Sequence, residues 1–315
     1  MTSEEEPLWE SAEYRTFHQR VAQKQATFVT PQRASRTARY FDAGPAAGGA
    51  AGAPLVLLPG LCGTAESFYA QLLHLGARGY RAVAVESDDA LGSVAAWVDA
   101  LDGFLAFLGV GRVHLFGAQL GGFLAQMYAA ARPHRVASLA LCNTFCDTAP
   151  FADASSVFVR ACGLLPAALL RRRVSSALVA PATEAPQPPA VRRAAAFMAR
   201  AVEQQSFAAL HSKYVLNCTP AAVPVLPPSA PLLTAAEGRC VTVIYTADES
   251  ASAPPGAVDD VLRHYPRARA APVRGGGDFP YLACPDEVNL ILEVHLKGVQ
   301  FARDEAKEAL RKSAH

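Results

Sequence analysis

The stretch Val113-His114-Leu115-Phe116-Gly117-Ala118-Gln119-Leu120-Gly121-Gly122 comes closer than any other to a reaction centre in its residue types and spacing. An apolar run enters a Gly-flanked turn, and helical spacing follows. That is the form of G-x-S-x-G, a sharp strand-to-helix turn that exposes one side chain above the end of a sheet and needs small neighbours because a Cβ would clash. Position 119 decides what such a turn can do. The pattern requires Ser, Cys or Asp there, and this chain has Gln. A carboxamide has no nucleophilic lone pair of comparable basicity, and neither a neighbouring base nor a lowered pKa can activate it.

Other parts of an acyl-transfer site fall in the expected order. The loop Pro59-Gly60-Leu61-Cys62-Gly63-Thr64 follows a strand and precedes a helix. Its backbone N–H groups at Leu61 and Cys62, with the N–H of Leu120 after the elbow, are candidates for an oxyanion hole. Downstream, Val241 to Tyr245 leads to Asp248, at the end of a strand where a triad carboxylate belongs, and Gly275-Gly276-Gly277 leads to Asp278. A triad also needs a base with a pKa near 7. His74, His114, His134, His211, His264 and His295 fall within elements or near their ends, outside the loop after the last strand, and His18 and His315 are terminal. Each degenerate position has a plainer reading. Gln119 fills space, bonded either to the loop N–H groups or to a carboxylate, Asp248 caps a turn, and Asp278 sits in a polar loop or on a ligand. Cys62 is the residue that could restore nucleophilic chemistry, although no histidine adjacent in sequence activates it.

Positioning these residues takes a repeating pattern of short apolar runs and longer helical stretches. Leu55 to Leu58, Arg81 to Val85, Val113 to Phe116 and Val136 to Cys142 read as strands apolar on both faces, with helices predicted over Glu66 to Leu75, Val94 to Leu108 and Gly122 to Arg132. Two short strands, Ala26 to Thr30 and Thr37 to Phe41, precede them within a mixed polar stretch. The alternation stops near Asp147. Helical stretches at Val157 to Arg173 and Val191 to Leu216 follow, before strands return at Cys240 to Tyr245 and Ala268 to Val273 and a helix runs over Pro285 to Lys297. The fold class is therefore α/β, a doubly wound, mostly parallel sheet with an inserted helical cap. The expected organisation is core over 1–146, cap over 147–235, core again over 236–300, and over 301–315 a charged tail that reads as a solvated or frayed helix.

Length and composition set outer bounds. In 315 residues, 29 Lys and Arg against 28 Asp and Glu leave a net charge of +1, without the global basic footprint of a nucleic-acid binder. The seven cysteines are scattered without CxxC pairs or zinc-ligand spacing, as befits free thiols in a reducing compartment, and neither a metal nor a cofactor is expected. No leader-like run opens the chain and no stretch of eighteen apolar residues occurs, so a cytoplasmic location is expected. Arg171-Arg172-Arg173 and Arg192-Arg193 read as a solvated helix face or as contacts for an acidic partner or anionic lipid.

The sequence resembles the α/β-hydrolase fold family and, within it, the maspardin family. The likeness rests on Tyr40 to Pro45, the elbow with Gly121 to Gln126, Leu141-Cys142-Asn143-Thr144-Phe145-Cys146-Asp147-Thr148, and Gly276 to Leu282 with Glu287 to Leu290. In hydrolases of this fold the equivalent of Gly277-Asp278-Phe279-Pro280 is usually Gly-His-Phe-Pro, so the resemblance puts Asp278 where the catalytic His would be. Maspardins keep Ser at the elbow while already lacking that His, so this chain departs further. The resemblance implies a non-catalytic protein-binding adaptor in endosomal and trans-Golgi trafficking, with a partner such as a receptor cytoplasmic tail or trafficking factor and peripheral membrane association. The alternative is a pocket that binds a small ligand, or a weakly active esterase with a non-standard nucleophile.

Overall fold

The computed structural model describes residues 6–44, 52–152, 163, 166–176, 187–226, 240–247 and 253–313. Among the described residues, eight strands form one sheet in the order β1-β2-β4-β3-β5-β6-β7-β8. They are β1 (Gln23–Val29), β2 (Ser35–Ala43), β3 (Leu55–Leu58), β4 (Ala82–Ser87), β5 (Val113–Ala118), β6 (Val136–Cys142), β7 (Val241–Thr246) and β8 (Arg269–Val273). β1 pairs antiparallel with β2, and β2 with β4, while every remaining pairing is parallel.

All four residues of β3 are buried because the sheet is covered on both faces. Leu55 and Leu57 join the cluster that contains Phe17, Phe68, Leu72, Phe116 and Leu292, whereas Val56 and Leu58 join that of Val83, Phe104, Leu115, Tyr128 and Val261. Side chains alternating between two apolar layers are what a central parallel strand requires. The first layer is closed by α1 (Ala12–Arg20), α2 (Tyr69–Ala77) and the long final helix Pro285–Ser313; the second by α3 (Val94–Phe107), α4 (Leu120–Ala131) and the helix Ala257–His264.

Between β6 and β7 the chain leaves the sheet and returns. The ends of the excursion are tied together, since Thr148 N donates to Ala221 O at 3.0 Å and Val223 N to Cys146 O at 2.8 Å. Among the described residues the excursion contains the short helix Ala149–Ala152 and the helices Ala167–Ser176, Pro189–Gln204 and Phe207–Cys218.

Several expected boundaries move. The single stretch foreseen over Val191 to Leu216 is two helices, because Gln205 turns extended and Ser206 caps a new helix, its Oγ accepting from Ala209 N. The helix foreseen to Lys297 and the helical tail after it are one continuous helix to Ser313. α1 was not foreseen in the polar N-terminal stretch; it is capped by Ser11 and held by two buried residues, Tyr14 and Phe17, three apart on one face. Residues 157–162 of the first expected cap helix and 181–186 of the Pro-rich segment lie outside the described residues, as do 227–239.

Candidate functional site

β5 ends at Ala118 and α4 begins at Leu120, so Gln119 alone makes the turn, with φ 50° and ψ −118°. A residue with a Cβ is strained there, by about 1–3 kcal/mol, and persists only if its surroundings hold it. They do so through the backbone. Gln119 N donates to Cys142 O at 2.9 Å, and its carbonyl accepts from Gly122 N at 2.9 Å, Phe123 N at 3.1 Å and Thr144 Oγ1 at 2.6 Å. The glycines let α4 come this close. A Cβ on Gly117 would stand 2.5 Å from Gly121 O, and one on Gly121 would run into the carbonyl of Leu58.

The Gln119 side chain is buried, and its amide oxygen lies against the loop after β3. A Cβ on Gly60 would stand 2.6 Å from Gln119 Oε1. The carboxamide thus occupies space beside Gly60. Leu120 opens α4, so its N–H is a first-turn donor with no partner inside the helix.

From above, the cap grips the same loop. Gln205 Nε2 donates to Cys62 O at 3.0 Å and Leu61 O at 3.4 Å, and Lys213 Nζ donates to Gly63 O at 2.6 Å and Gln205 Oε1 at 2.8 Å. The break between the two helices therefore presents Gln205 to the loop. Neither Gln205 nor Lys213 was singled out from sequence; a polar pair interrupting an otherwise helical pattern was the available sign.

Cys62 is buried, and burial pushes its thiol up to about 12, with Lys213 pulling it down and Asp278 pushing it further up. At neutral pH it is a thiol, and a thiol is a poor nucleophile. Asp278 is half-buried in the turn after β8, and its backbone is fastened by Asn143. Asn143, with φ 44°, follows β6; its Nδ2 donates to Gly277 O at 3.1 Å, Asp278 O at 3.3 Å and Thr246 Oγ1 at 3.2 Å, while its Oδ1 accepts from Thr246 N at 2.9 Å. One side chain thereby joins the ends of β6 and β7 to the turn that carries Asp278. Asp248, the expected triad carboxylate, lies outside the described residues.

Five of the histidines are engaged elsewhere. His74 meets Glu293 at 2.6 Å, His18 meets Glu66 at 2.7 Å, and His211 stacks on Phe207. His114 Nδ1 and His295 Nε2 both meet the buried hydroxyl of Ser138, at 2.6 and 2.7 Å. That Ser–His cluster lies within the sheet, five residues before Gln119 along β5, about 16 Å at 3.3 Å per residue. Among the described residues no group of three His, Cys, Asp or Glu side chains could hold a metal ion, and no helix is long and apolar enough to cross a membrane.

Comparison with known proteins agrees with this architecture. The sequence model of the alpha/beta hydrolase family matches residues 55–289. Maspardin of Danio rerio is 32% identical over 273 residues, spanning 85% of this chain and 82% of that protein. Maspardin of Homo sapiens is 34% identical over 268 residues, spanning 81% and 78%. Among solved structures, a thermophilic esterase from Thermogutta terrifontis superposes with a TM-score of 0.65 at 17% identity, covering 88% of this chain and 99% of that one. A bromoperoxidase from Bacillus anthracis does so at 0.62 and 17%, covering 87% and 100%. At such identities the structural likeness speaks for the fold alone. With its elbow, its sheet order and its close relatives in sequence, the chain belongs to the alpha/beta hydrolase family and, within it, to the maspardins.

Proposed function

We propose that this chain is a pseudohydrolase, a non-catalytic member of its family that works by binding. The observation that carries this reading is the carboxamide of Gln119, seated at the tip of the elbow and packed against Gly60. Losing the nucleophile of a triad costs on the order of 10⁶ in kcat, and what remains reflects only binding and oxyanion donors. Asp278 offers a carboxylate instead of an imidazole, and the Cys62 thiol is held protonated. The partner on this reading is a protein, a receptor cytoplasmic tail or a trafficking factor, met on endosomal or trans-Golgi membranes from the cytoplasmic side. An apolar stripe on the final helix supports a protein partner. Leu290, Val294 and Phe301 are 61%, 40% and 58% exposed at helical spacings of four and seven.

The test is a fluorophosphonate probe with a p-nitrophenyl ester assay on the wild type and on the Gln119→Ser/Asp278→His double variant. The wild type is expected at background in both, with labelling gained in the double variant. Turnover by the wild type that survives Cys62→Ala, or that Cys62→Ala removes, ends the non-catalytic reading. The adaptor role is read separately, as co-sedimentation of the chain with endosomal membranes that Leu290→Asp/Phe301→Asp abolishes.

A further inference from the structure

The run Arg171-Arg172-Arg173 continues into Val174-Ser175-Ser176, and both serines fall in the last turn of the helix Ala167–Ser176. Arginine placed shortly before a serine is the charge pattern that a protein kinase with an acidic substrate groove selects, because the guanidinium groups make forked, charge-assisted hydrogen bonds to its carboxylates. In this chain Ser138, Ser175 and Ser176 each have an arginine three residues before them, and of these Ser175 alone has another at two before.

The structure separates the three. Ser138 is buried on β6, its hydroxyl between His114 and His295. Ser176 is exposed, but its Oγ donates to Arg173 O at 2.8 Å. Ser175 is half-buried, and among the described residues no hydrogen bond holds its Oγ. The recognition residues are ready as well. Arg172 and Arg173 are exposed and engage no described side chain, whereas Arg171 donates to Gln205 O at 3.0 Å and stands 3.8 Å from Glu203.

A kinase groove takes its substrate extended, so the segment from Arg172 to Ser176 has to unwind. Helix ends open locally at low cost. Leu170 stays seated, and Val174 alone leaves a buried place. Exposing a side chain of that size reduces the competent population by about ten- to a hundred-fold, which slows the reaction without preventing it.

We propose that Ser175 is a phosphorylation site for an arginine-selecting serine kinase. Its Oγ attacks the γ-phosphorus of MgATP, a P–O bond forms to Ser175, the bond to the β,γ-bridging oxygen breaks, and ADP leaves with that electron pair. The hydroxyl proton passes to a carboxylate of the kinase. The phosphoserine carries about −1.5 to −2 charges, which cancels the two positive charges of Arg172 and Arg173 on this face of the cap. Arg171 and Arg172, four and three residues back on the same side of the helix, are placed to pair with it. The inference stands apart from the pseudohydrolase reading, because it is read as phosphate incorporation and needs neither an inert elbow nor the stripe on the final helix.

The test is incubation of the full chain with MgATP and the catalytic subunit of cyclic-AMP-dependent protein kinase, with the phosphate located by tandem mass spectrometry. Label is expected on Ser175, at a rate about ten- to a hundred-fold below that of an unstructured peptide of residues 169–178. Ser175→Ala should remove the label from this helix, and Ser176→Ala should leave it. Arg172→Gln/Arg173→Gln alters only exposed side chains, so it should fold as the wild type does while slowing incorporation at least about a hundred-fold through two lost charge-assisted hydrogen bonds. A full chain left unlabelled while the peptide is labelled, label in this helix that survives Ser175→Ala, or incorporation at the wild-type rate in the arginine variant would each overturn the proposal.

Discussion

At the scale of single residues, the site is defined by a contact between a glycine and an amide. Gly60 and Gln119 divide a volume that in a working elbow a hydroxyl and a reacting carbonyl would share, and the amide oxygen sits 2.6 Å from where a Cβ on Gly60 would be. A methyl group there forces the amide out or the loop away, an overpacking that costs typically about 1–3 kcal/mol. Shortening Gln119 removes most of the obstacle, since Ala118 O and Gln119 Cβ are further off, both at 3.2 Å. Gly60→Ala is therefore expected to lower unfolding stability by about 1–3 kcal/mol, and by clearly less in a Gln119→Ala background. Urea unfolding of the four proteins measures the difference. Equal costs in both backgrounds would mean that the amide does not fill this space.

At the scale of elements, three strand ends are joined by Asn143. Its amide bonds Thr246 at the end of β7 and the carbonyls of Gly277 and Asp278 after β8. Replacing it with Leu strands buried backbone groups, each worth about 1–3 kcal/mol. The expected outcome is a loss of that order in stability, with hydrogen exchange quickened in 275–279 and unchanged in β4. Uniform quickening along the chain would assign Asn143 to general packing. This residue also marks where reading from sequence stops. Strands β3 to β7 are legible because a strand covered on both faces is largely apolar, and the elbow is legible because glycine spacing and an apolar run announce it locally. The bonds of Asn143 to Thr246 and of Gln205 to Cys62 join positions 103 and 143 residues apart, and no local pattern encodes such partners. α1 escapes because two buried residues make too narrow a stripe, and the break at Gln205 escapes because glutamine and serine are both admissible inside a helix. Among the site residues, Gln119 and Asp278 were visible as departures from a motif, whereas the hold of Gln205 and Lys213 on the loop emerges only when the cap closes over the core.

At the scale of the molecule, the final helix is coupled to the sheet through one buried imidazole. His295 bonds Ser138 on β6 at 2.7 Å and Thr242 on β7 at 2.8 Å, with His114 and Arg269 near enough to disfavour its charge. Burial above all, then those two groups, pull its pKa down to about 3 from an ordinary 6.5. In the unfolded chain the ring takes up a proton as pH falls below 6.5, while in the folded protein it stays neutral until about 3. Its contribution to stability is thus fully present above 6.5 and is lost as pH falls through that window, by up to about 1.4 kcal/mol per pH unit. Between pH 6.5 and 5 the carboxylates are mostly ionised in the unfolded chain, so histidines dominate the slope. His295→Gln retains polar partners for Ser138 and Thr242 but does not titrate. Relative to this variant, the wild type should lose an additional 1–2 kcal/mol, roughly, in urea-unfolding free energy between pH 6.5 and 5. The absolute stability of the variant does not enter, because only the difference in slope is read. Parallel slopes would show that His295 titrates alike in folded and unfolded chains, and that the final helix is held to the sheet by apolar packing alone.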